Sequence, residues 1–289
     1  MKKIGIVLGG GGAKGAFQIG VLECLLASIK NSKDQLVSIS GTSIGAMNGA
    51  FVAAGQFNKL KEHWAKWSNK TCPLTQTGPF GSTASLLTSG YSYKSKPTFD
   101  FFKQQLDIKA LRNSAISYTN TRIRLSDSEV LLGGTYSASY ADSKKDDDLI
   151  YEIMASMAAI PLVPIVNVYG EGCVDGGFRD TVPVKAMLTT NDQMLDHIYV
   201  IGCNPINRLP KNQKFTNTIW SLIDKMQFGY DMLWDEVSRN DISLGNLKHW
   251  DVDHYTVICP EEQILSAAEF DPVKIKKATQ HGRDMWNQL

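Results

Sequence analysis

The sequence has no excess of charge of either sign. Its 30 lysines and arginines are balanced by 29 aspartates and glutamates, for a net charge of +1. Nucleic-acid-binding proteins need a positive surface field, so this composition argues against a nucleic-acid partner. The sequence also lacks an apolar run long enough to cross a bilayer. The short run at residues 4–8 breaks into glycines rather than a signal-peptide cleavage site, so we expect a cytoplasmic protein.

Cysteine is scarce, and its spacing carries no pattern. The five cysteines are Cys24, Cys72, Cys173, Cys203 and Cys259, and none of them forms a C-x-x-C pair. An odd number of scattered cysteines indicates neither a disulfide scaffold nor a zinc site, and it fits a reducing compartment. We expect no metal and no other cofactor.

What the sequence does have is a hydrophobic content of 43% over 289 residues, enough for a sizeable core. Strand-like and helix-like segments alternate, with strands at residues 3–8 and 36–40 and helices at 15–30 and 46–54. Repeated strand–turn–helix units are typical of a parallel sheet with helices on both faces. We predict one α/β domain over residues 1–289, a three-layer α/β/α arrangement around a mainly parallel sheet.

The remaining elements are predicted from hydrophobic periodicity. Strands are expected at residues 115–124, 128–133, 165–168, 197–203 and 254–259, and helices at residues 56–69, 149–159, 215–240 and 272–287. The first two of these strands alternate like a hairpin. Residues 71–98, rich in serine, threonine, glycine and proline, predict a long loop or small cap, and the charge run at 144–148 predicts a solvated loop.

A glycine-rich loop from Gly9 to Gly15 follows the first strand and opens the first helix. Its G-x-G-x-x-G pattern fits a dinucleotide site, but the second strand ends without the acid that would hold a ribose. A merely tight turn is a second interpretation. In a third, the amides of Gly10, Gly11 and Gly12 form an oxyanion hole at a helix N-terminus, where the dipole favours negative charge.

The segment Gly41-Thr42-Ser43-Ile44-Gly45 matches G-x-S-x-G. This motif holds a nucleophilic serine on a sharp strand-to-helix turn, and the next amide can join an oxyanion hole. Here an apolar strand precedes the motif and a small-residue helix follows it. We therefore interpret Ser43 as a nucleophile and the amide of Ile44 as an oxyanion donor.

No histidine has the distinctive setting of a catalytic base. His63 falls on a surface-type helix, His197 and His254 fall at strand starts, and His281 falls in the terminal helix. These settings are more often structural, whereas His249 remains an open alternative as the third member of a triad.

Asp175 is the other candidate base. It follows the strand at 165–168 and its turn, and two glycines, Gly176 and Gly177, come directly after it. These glycines would let the carboxylate approach another loop closely. An aspartate before two glycines is also a common turn residue, so the motif alone leaves both interpretations open.

These motifs, in this order, resemble the patatin-like phospholipase family. Residues 10–15 are similar to the family's glycine-rich oxyanion motif, with Lys14 in the place of its basic residue. Residues 41–45 resemble its nucleophile motif, and residues 175–177 resemble its Asp-Gly-Gly/Ala motif. Residues 155–161 are similar to its Ala-Ser helix ending at a proline. The resemblance covers about residues 3–205, which would form the motif-bearing core, with residues 206–289 packed on it.

The resemblance implies a lipid acyl hydrolase of the phospholipase A or lysophospholipase type. Ser43 and Asp175 would form a dyad in place of a triad, and Ser43 would carry the acyl group. The motif residues that would support this site are Lys14, Gly15, Gly41, Gly45, Gly176 and Gly177. A soluble carboxylesterase or acyl thioesterase with the same dyad is an alternative enzyme. A non-catalytic lipid-binding regulator is the alternative from another class.

Three features bear on how such a protein would contact its lipid substrate. Residues 57–67, with Trp64 and Trp67, could lie on a membrane surface in transient contact or pack against the sheet. The apolar loop 79–102 is predicted to be a lid over the site. Lys14 would either contact a lipid phosphate or be an ordinary helix-face lysine.

Overall fold

The computed structural model describes residues 1–77, 81–136, 145–190, 195–205, 225, 229, 232–233, 236–243 and 255–289. The strands are β1 (Lys3–Leu8), β2 (Gln35–Thr42), β3 (Ser117–Arg124), β4 (Val130–Gly134), β5 (Val166–Val168), β6 (Glu171–Asp175), β7 (His197–Ile201) and β8 (Tyr255–Ile258). The helices are α1 (Ala16–Ser32), α2 (Ile44–Ala53), α3 (Phe57–Lys66), α4 (Gly81–Ser89), α5 (Ser95–Gln105), α6 (Ile108–Arg112), α7 (Asp146–Ser156), α8 (Val184–Thr190) and α9 (Pro272–Trp286). Short 3-10 turns lie at Gly12–Gly15, Pro73–Thr75 and Gly176–Phe178.

The described strands form one mixed sheet in the order β5-β6-β3-β2-β1-β7-β8, with β4 also paired to β3. Strands β1, β2, β3, β7 and β8 run parallel to one another. Strands β4 and β6 run antiparallel to β3, and β5 runs antiparallel to β6. The prediction of an α/β fold with a mainly parallel sheet is confirmed, and the antiparallel part of the sheet is an addition to it.

The central strand β1 is buried on both faces because its side chains alternate. Ile6 and Leu8 join an apolar cluster with α1, α2, α3 and α7. Val7 points the other way, into a second cluster that contains Val184 and Met187 of α8. A strand covered on both faces reads as a near-continuous apolar run, as residues 4–8 do. Helices on the two faces give the three layers that were predicted.

Most elements predicted from periodicity are found. The predicted hairpin is β3 paired with β4, and the predicted strands at 197–203 and 254–259 are β7 and β8. The predicted terminal helix is α9. Most of the predicted helix at 215–240 lies outside the described residues, as does His249.

Two segments differ from the loops that were predicted for them. Residues 71–98, predicted to be a long loop or a small cap, contain α4 and the start of α5, which excludes a continuous loop. Within α4, the hydroxyls of Thr88 and Ser89 donate to carbonyls one turn earlier, at 2.8 and 2.7 Å. The charge run at 144–148 begins α7, whose first turn contains three aspartates. Negative charge is favourable at that end of a helix dipole, and the Asp148 carboxylate accepts the Lys145 amide at 2.9 Å.

One described segment passes the length and hydropathy test for a membrane span, contrary to the expectation from the sequence. It is Gly12–Ser32, with 21 residues and a mean hydropathy of 1.2. Inside the protein, 61% of that window is buried, and Glu23 of α1 pairs with Arg283 of α9 at 2.8 Å. Burial of this kind is also what a core helix shows.

The apolar face of α3 packs inside the protein. Leu60, Trp64 and Trp67 are all buried, and the indole of Trp64 donates to Asn48 at 3.0 Å. Both tryptophans also contact the ring of Phe270. The packed interpretation of residues 57–67 is therefore the correct one for these side chains, and they are not available to a membrane surface.

We expect Trp64→Ala to destabilise the fold by about 3–5 kcal/mol, because it removes a buried aromatic ring and leaves the Asn48 oxygen unpaired. Urea unfolding would measure the loss. The exposed neighbour Lys66, changed to alanine, is the control and should shift the free energy of unfolding by less than about 0.5 kcal/mol. Unchanged stability of Trp64→Ala together with weaker vesicle binding would instead favour the membrane interpretation.

Candidate active site

Ser43 stands between the last residue of β2 and the first residue of α2. Its backbone has φ 55° and ψ −124°, which a residue other than glycine seldom adopts. The Ser43 carbonyl accepts the amides of Ala46 and Met47 at 2.9 and 3.3 Å, so α2 begins at once. The sequence context of G-x-S-x-G correctly indicated this strand-to-helix turn.

The flanking glycines of this turn are needed for close approach. A Cβ on Gly41 would overlap the carbonyl of Gly45, and a Cβ on Gly45 would overlap the carbonyl of Leu8. The turn therefore crosses directly over the end of β1. This contact brings the glycine loop that follows β1 next to Ser43.

Asp175 lies beside Ser43, because both approach the same part of β3. Thr42, just before Ser43, pairs with Thr121, while Asp175 pairs with the next residue, Arg122. The Ser43 hydroxyl donates to Asp175 Oδ2 at 2.7 Å. Strand register thus joins two side chains that are 132 positions apart in the sequence.

The Asp175 carboxylate is fully buried and held from two sides. Its Oδ1 accepts the amide of Gly177 at 2.7 Å, and its own amide donates to the carbonyl of Ala158 at 3.1 Å. A Cβ on Gly176 would overlap Thr121, so this turn presses against β3. The two motif glycines therefore supply a close contact and a hydrogen-bond donor.

Burial raises the pKa of Asp175 to about 7, and the hydrogen bonds from Ser43 and Gly177 offset part of that rise. An ordinary aspartate has a pKa near 4. The carboxylate of Asp175 is therefore a much stronger proton acceptor than an exposed aspartate.

The described histidines lie elsewhere. His63 packs among the rings of Phe51, Trp67 and Phe101. His197 bonds to Thr256 at 2.8 Å, and His281 accepts the amide of Glu261 at 3.1 Å. His254, like His249, is outside the described residues. Within the described ranges, no set of three or more His, Cys, Asp or Glu residues is arranged to hold a metal ion.

The glycine loop supplies fewer free amides than predicted. The amide of Gly10 donates to the carbonyl of Thr181 at 2.9 Å, so the prediction that it is an oxyanion donor is wrong. Within the described part of the chain, the amides of Gly11, Gly12 and Ile44 have no acceptor. Gly12 and Ile44 line the same pocket as Ser43.

A segment near the C-terminus, residues 267–270, holds this loop in place. The amide of Ala13 donates to the carbonyl of Ala267 at 2.7 Å. Gly12 has φ 57°, and a Cβ there would overlap the same carbonyl, so only glycine fits. Ala267, Ala268 and Phe270 also line the pocket. Sequence reasoning missed this segment, because small apolar residues carry no chemical signal.

Lys14 is buried, and its ammonium donates to Asn204 at 2.7 Å. Burial argues against the phosphate interpretation, because in this conformation the side chain cannot contact a lipid phosphate. Gly15 lies against Ile44, where a Cβ would come within 2.7 Å of that side chain. Gln18, which the sequence did not single out, donates to the carbonyl of Gly9 at 2.8 Å and steadies the loop.

Ser43 opens into a mainly apolar pocket with a cavity volume of about 80 Å³. Its apolar lining includes Leu74, Met154, Met157, Leu162, Val163, Val166 and Phe270. From the predicted lid, Tyr93, Ser95 and Thr98 form part of the wall, and the Tyr93 amide donates to the Leu162 carbonyl at 2.8 Å. Leu87 in α4 is 61% exposed. The apolar character of this lining suits a small apolar ligand or an acyl chain.

Comparisons with known proteins show a family and a fold that this chain shares. A model of the patatin-like phospholipase family matches residues 6–188. Curated relatives at 26% identity over 189 residues are uncharacterised NTE family proteins of Mycobacterium bovis and Mycobacterium tuberculosis. That alignment covers 65% of this chain, which spans 46% of the length of those relatives.

The crystal structure of VipD from Legionella pneumophila shares the fold, with a TM-score of 0.54 at 15% identity. The superposition covers 99% of this chain and 66% of that one.

We expect Asp175→Asn to change how stability depends on pH. The pKa of Asp175 is about 7 in the folded protein and near 4 in the unfolded chain. Protonation of Asp175 therefore stabilises the folded state, and this contribution to the free energy of unfolding is fully present below pH 4. That contribution is lost as the pH rises through 7. At pH 8 the variant should be more stable than the unmodified protein by about 4 kcal/mol, and the two should converge near pH 4.

Urea unfolding at pH 4.5, 6 and 8 would measure this difference. Burial also raises the pKa of Asp180 to about 6 and that of Asp241 to about 7, so both proteins share their titration and the difference isolates Asp175. A difference in stability that does not vary with pH would contradict the assignment.

Proposed function

Because this chain belongs to the patatin-like phospholipase family, we propose that it is a lipid acyl hydrolase in which Ser43 and Asp175 act as a dyad. The observation that carries the proposal is the direct hydrogen bond of 2.7 Å between the two side chains. Its setting supports the same conclusion, since Ser43 faces an apolar pocket and Asp175 is buried behind it.

In the first half-reaction, Asp175 accepts the proton of Ser43 while the Ser43 oxygen attacks the ester carbonyl carbon. The negative charge that develops on the carbonyl oxygen is stabilised by the amides of Gly11, Gly12 and Ile44. Each such donor is worth about 3–4 kcal/mol in known cases. The tetrahedral intermediate collapses, the alcohol leaves with the proton from Asp175, and Ser43 retains the acyl group.

In the second half-reaction, Asp175 accepts a proton from water, and the resulting hydroxide attacks the acyl-enzyme carbonyl. The same amides stabilise the second oxyanion. When the intermediate collapses, the fatty acid leaves and the proton on Asp175 returns to the Ser43 oxygen. One carboxylate thus serves both steps, and no imidazole is required.

Within this class, we propose the phospholipase A or lysophospholipase type. Support comes from the pocket, whose apolar lining would hold a fatty-acyl chain with its ester beside Ser43. The exposed Leu87 in the neighbouring helix α4 offers a point of transient contact with a lipid surface.

We also propose that residues 1–289 act as one domain located in the cytoplasm. The single domain is supported by contacts between the two ends of the chain: Arg283 of α9 pairs with Glu23 of α1, and the Ala267 carbonyl accepts an amide of the glycine loop. The cytoplasmic location is supported by the cysteines, since all five are free thiols, as a reducing compartment would keep them.

We expect Ser43→Ala and Asp175→Asn each to lower ester cleavage by about three orders of magnitude or more, because each removes a group that acts in both steps. Mass spectrometry of products from mixed-lipid vesicles, beside a soluble short-chain ester, would measure the loss. For the unmodified protein, kcat/KM should rise through about pH 7 as Asp175 loses its proton. Replacing each of the five histidines in turn with alanine is the control and should preserve activity; these are His63, His197, His249, His254 and His281.

Several outcomes would contradict parts of this proposal. Loss of activity in one folded histidine variant would point to a triad. Cleavage of soluble esters or thioesters with no response to vesicles would favour a carboxylesterase or thioesterase. If the protein hydrolysed no ester and a fluorophosphonate did not label Ser43, the result would favour a non-catalytic lipid-binding protein.

We expect Val163→Trp to narrow the pocket and so to reduce the hydrolysis of long-chain esters selectively. For long-chain esters kcat/KM should fall about tenfold or more, while acetyl esters keep most of theirs. The matched control is Val273→Trp, which adds the same ring at an exposed position in α9. Equal loss on long and short chains in Val163→Trp would show that this pocket does not hold the acyl chain.

A further inference from the structure

The last residue of α7 contacts the nucleophile through its side chain. The Ser156 hydroxyl accepts the backbone amide of Ser43 at 2.9 Å, and Ser156 is fully buried. The sequence placed Ser156 in the Ala-Ser segment but gave it no role. Ser156 belongs to neither the dyad nor the oxyanion donors.

Two residues later, the same segment contacts the other member of the dyad. The Ala158 carbonyl accepts the backbone amide of Asp175 at 3.1 Å. Residues 156–158 therefore bind the main chain of both Ser43 and Asp175. The distance between the two side chains is set partly by this third segment and not by the sheet alone.

The contact from Ser156 matters because of the backbone that it restrains. Ser43 has φ 55°, a conformation that persists in a protein only when its surroundings hold it. The amide of Ser43 is buried, and Ser156 is its acceptor. Without that oxygen the amide would be an unpaired buried donor, and the backbone could relax by rotating the serine away from Asp175.

We propose that Ser156 is a positioning residue, whose hydroxyl fixes the strained turn so that the Ser43 oxygen points at Asp175. This inference rests on the proposed hydrolase function. Ser156 would act through Ser43 alone, since Ser156 is absent from the described lining of the pocket and would not touch the substrate. Substrate binding should therefore be independent of Ser156.

The test compares Ser156→Ala and Ser156→Cys with the unmodified protein. In Ser156→Ala we expect kcat to fall by roughly 10- to 100-fold, because the acceptor is lost, while KM stays within about twofold. The rate of fluorophosphonate labelling of Ser43 should fall in parallel. Ser156→Cys keeps a similar volume and a weak acceptor, so its kcat should lie between the two.

The matched control is Ser38→Ala, which removes a buried hydroxyl from β2 that has no partner in the described part of the chain. Its kcat should stay within about twofold of the unmodified protein. A Ser156→Ala protein with unchanged kcat would overturn the inference, as would a loss of kcat that Ser38→Ala shares. If Ser156→Ala does not fold, Ser156→Cys decides, and full activity there would likewise overturn it.

The two proposals fail in distinguishable ways. An unmodified protein that neither cleaves acyl esters nor labels at Ser43 would remove the hydrolase function itself. An active protein whose turnover is insensitive to Ser156 would remove only the positioning role.

Discussion

The hydrogen bond between Ser43 and Asp175 is the interaction on which the rest of the candidate site depends. A fully buried carboxylate is costly to keep charged, and its described donors are one hydroxyl and one amide. The uncompensated part of that cost raises the pKa of Asp175, which also makes the group a better base. Stability and reactivity are therefore opposed at this residue, as is common in active sites.

The contact exists because several distant segments meet at one end of the sheet. Strands β1 and β2 are parallel neighbours, so the glycine loop and the Ser43 turn emerge side by side. Asp175 arrives on the antiparallel strand β6 and pairs with β3 next to the partner of Thr42. The segment 156–158 and the Ala267 carbonyl then fix the main chain around them.

Much of the fold could be predicted from the sequence, because the patterns concerned are local. A short apolar run identified β1, alternation identified β3 and β4, and helical spacing identified α1. G-x-S-x-G in its context identified the turn at Ser43. Predictions failed where a local pattern is decided by distant partners. Gly10 donates to Thr181, and Lys14 is buried against Asn204, and neither partner is near in sequence. The serines and threonines of α4 favoured a loop in the sequence, but the segment is helical and the hydroxyls of Thr88 and Ser89 bond within that helix.

The sequence by itself determined which groups are present: a serine on a turn that needs glycines, an aspartate before two glycines, and a loop without side chains. These are consequences of residue type and short spacing, and they are readable without coordinates. The tertiary structure decided which of those groups meet, which amides stay free, and how strongly Asp175 holds its proton. Those properties depend on strand register and burial, which arise only when segments more than a hundred residues apart pack together.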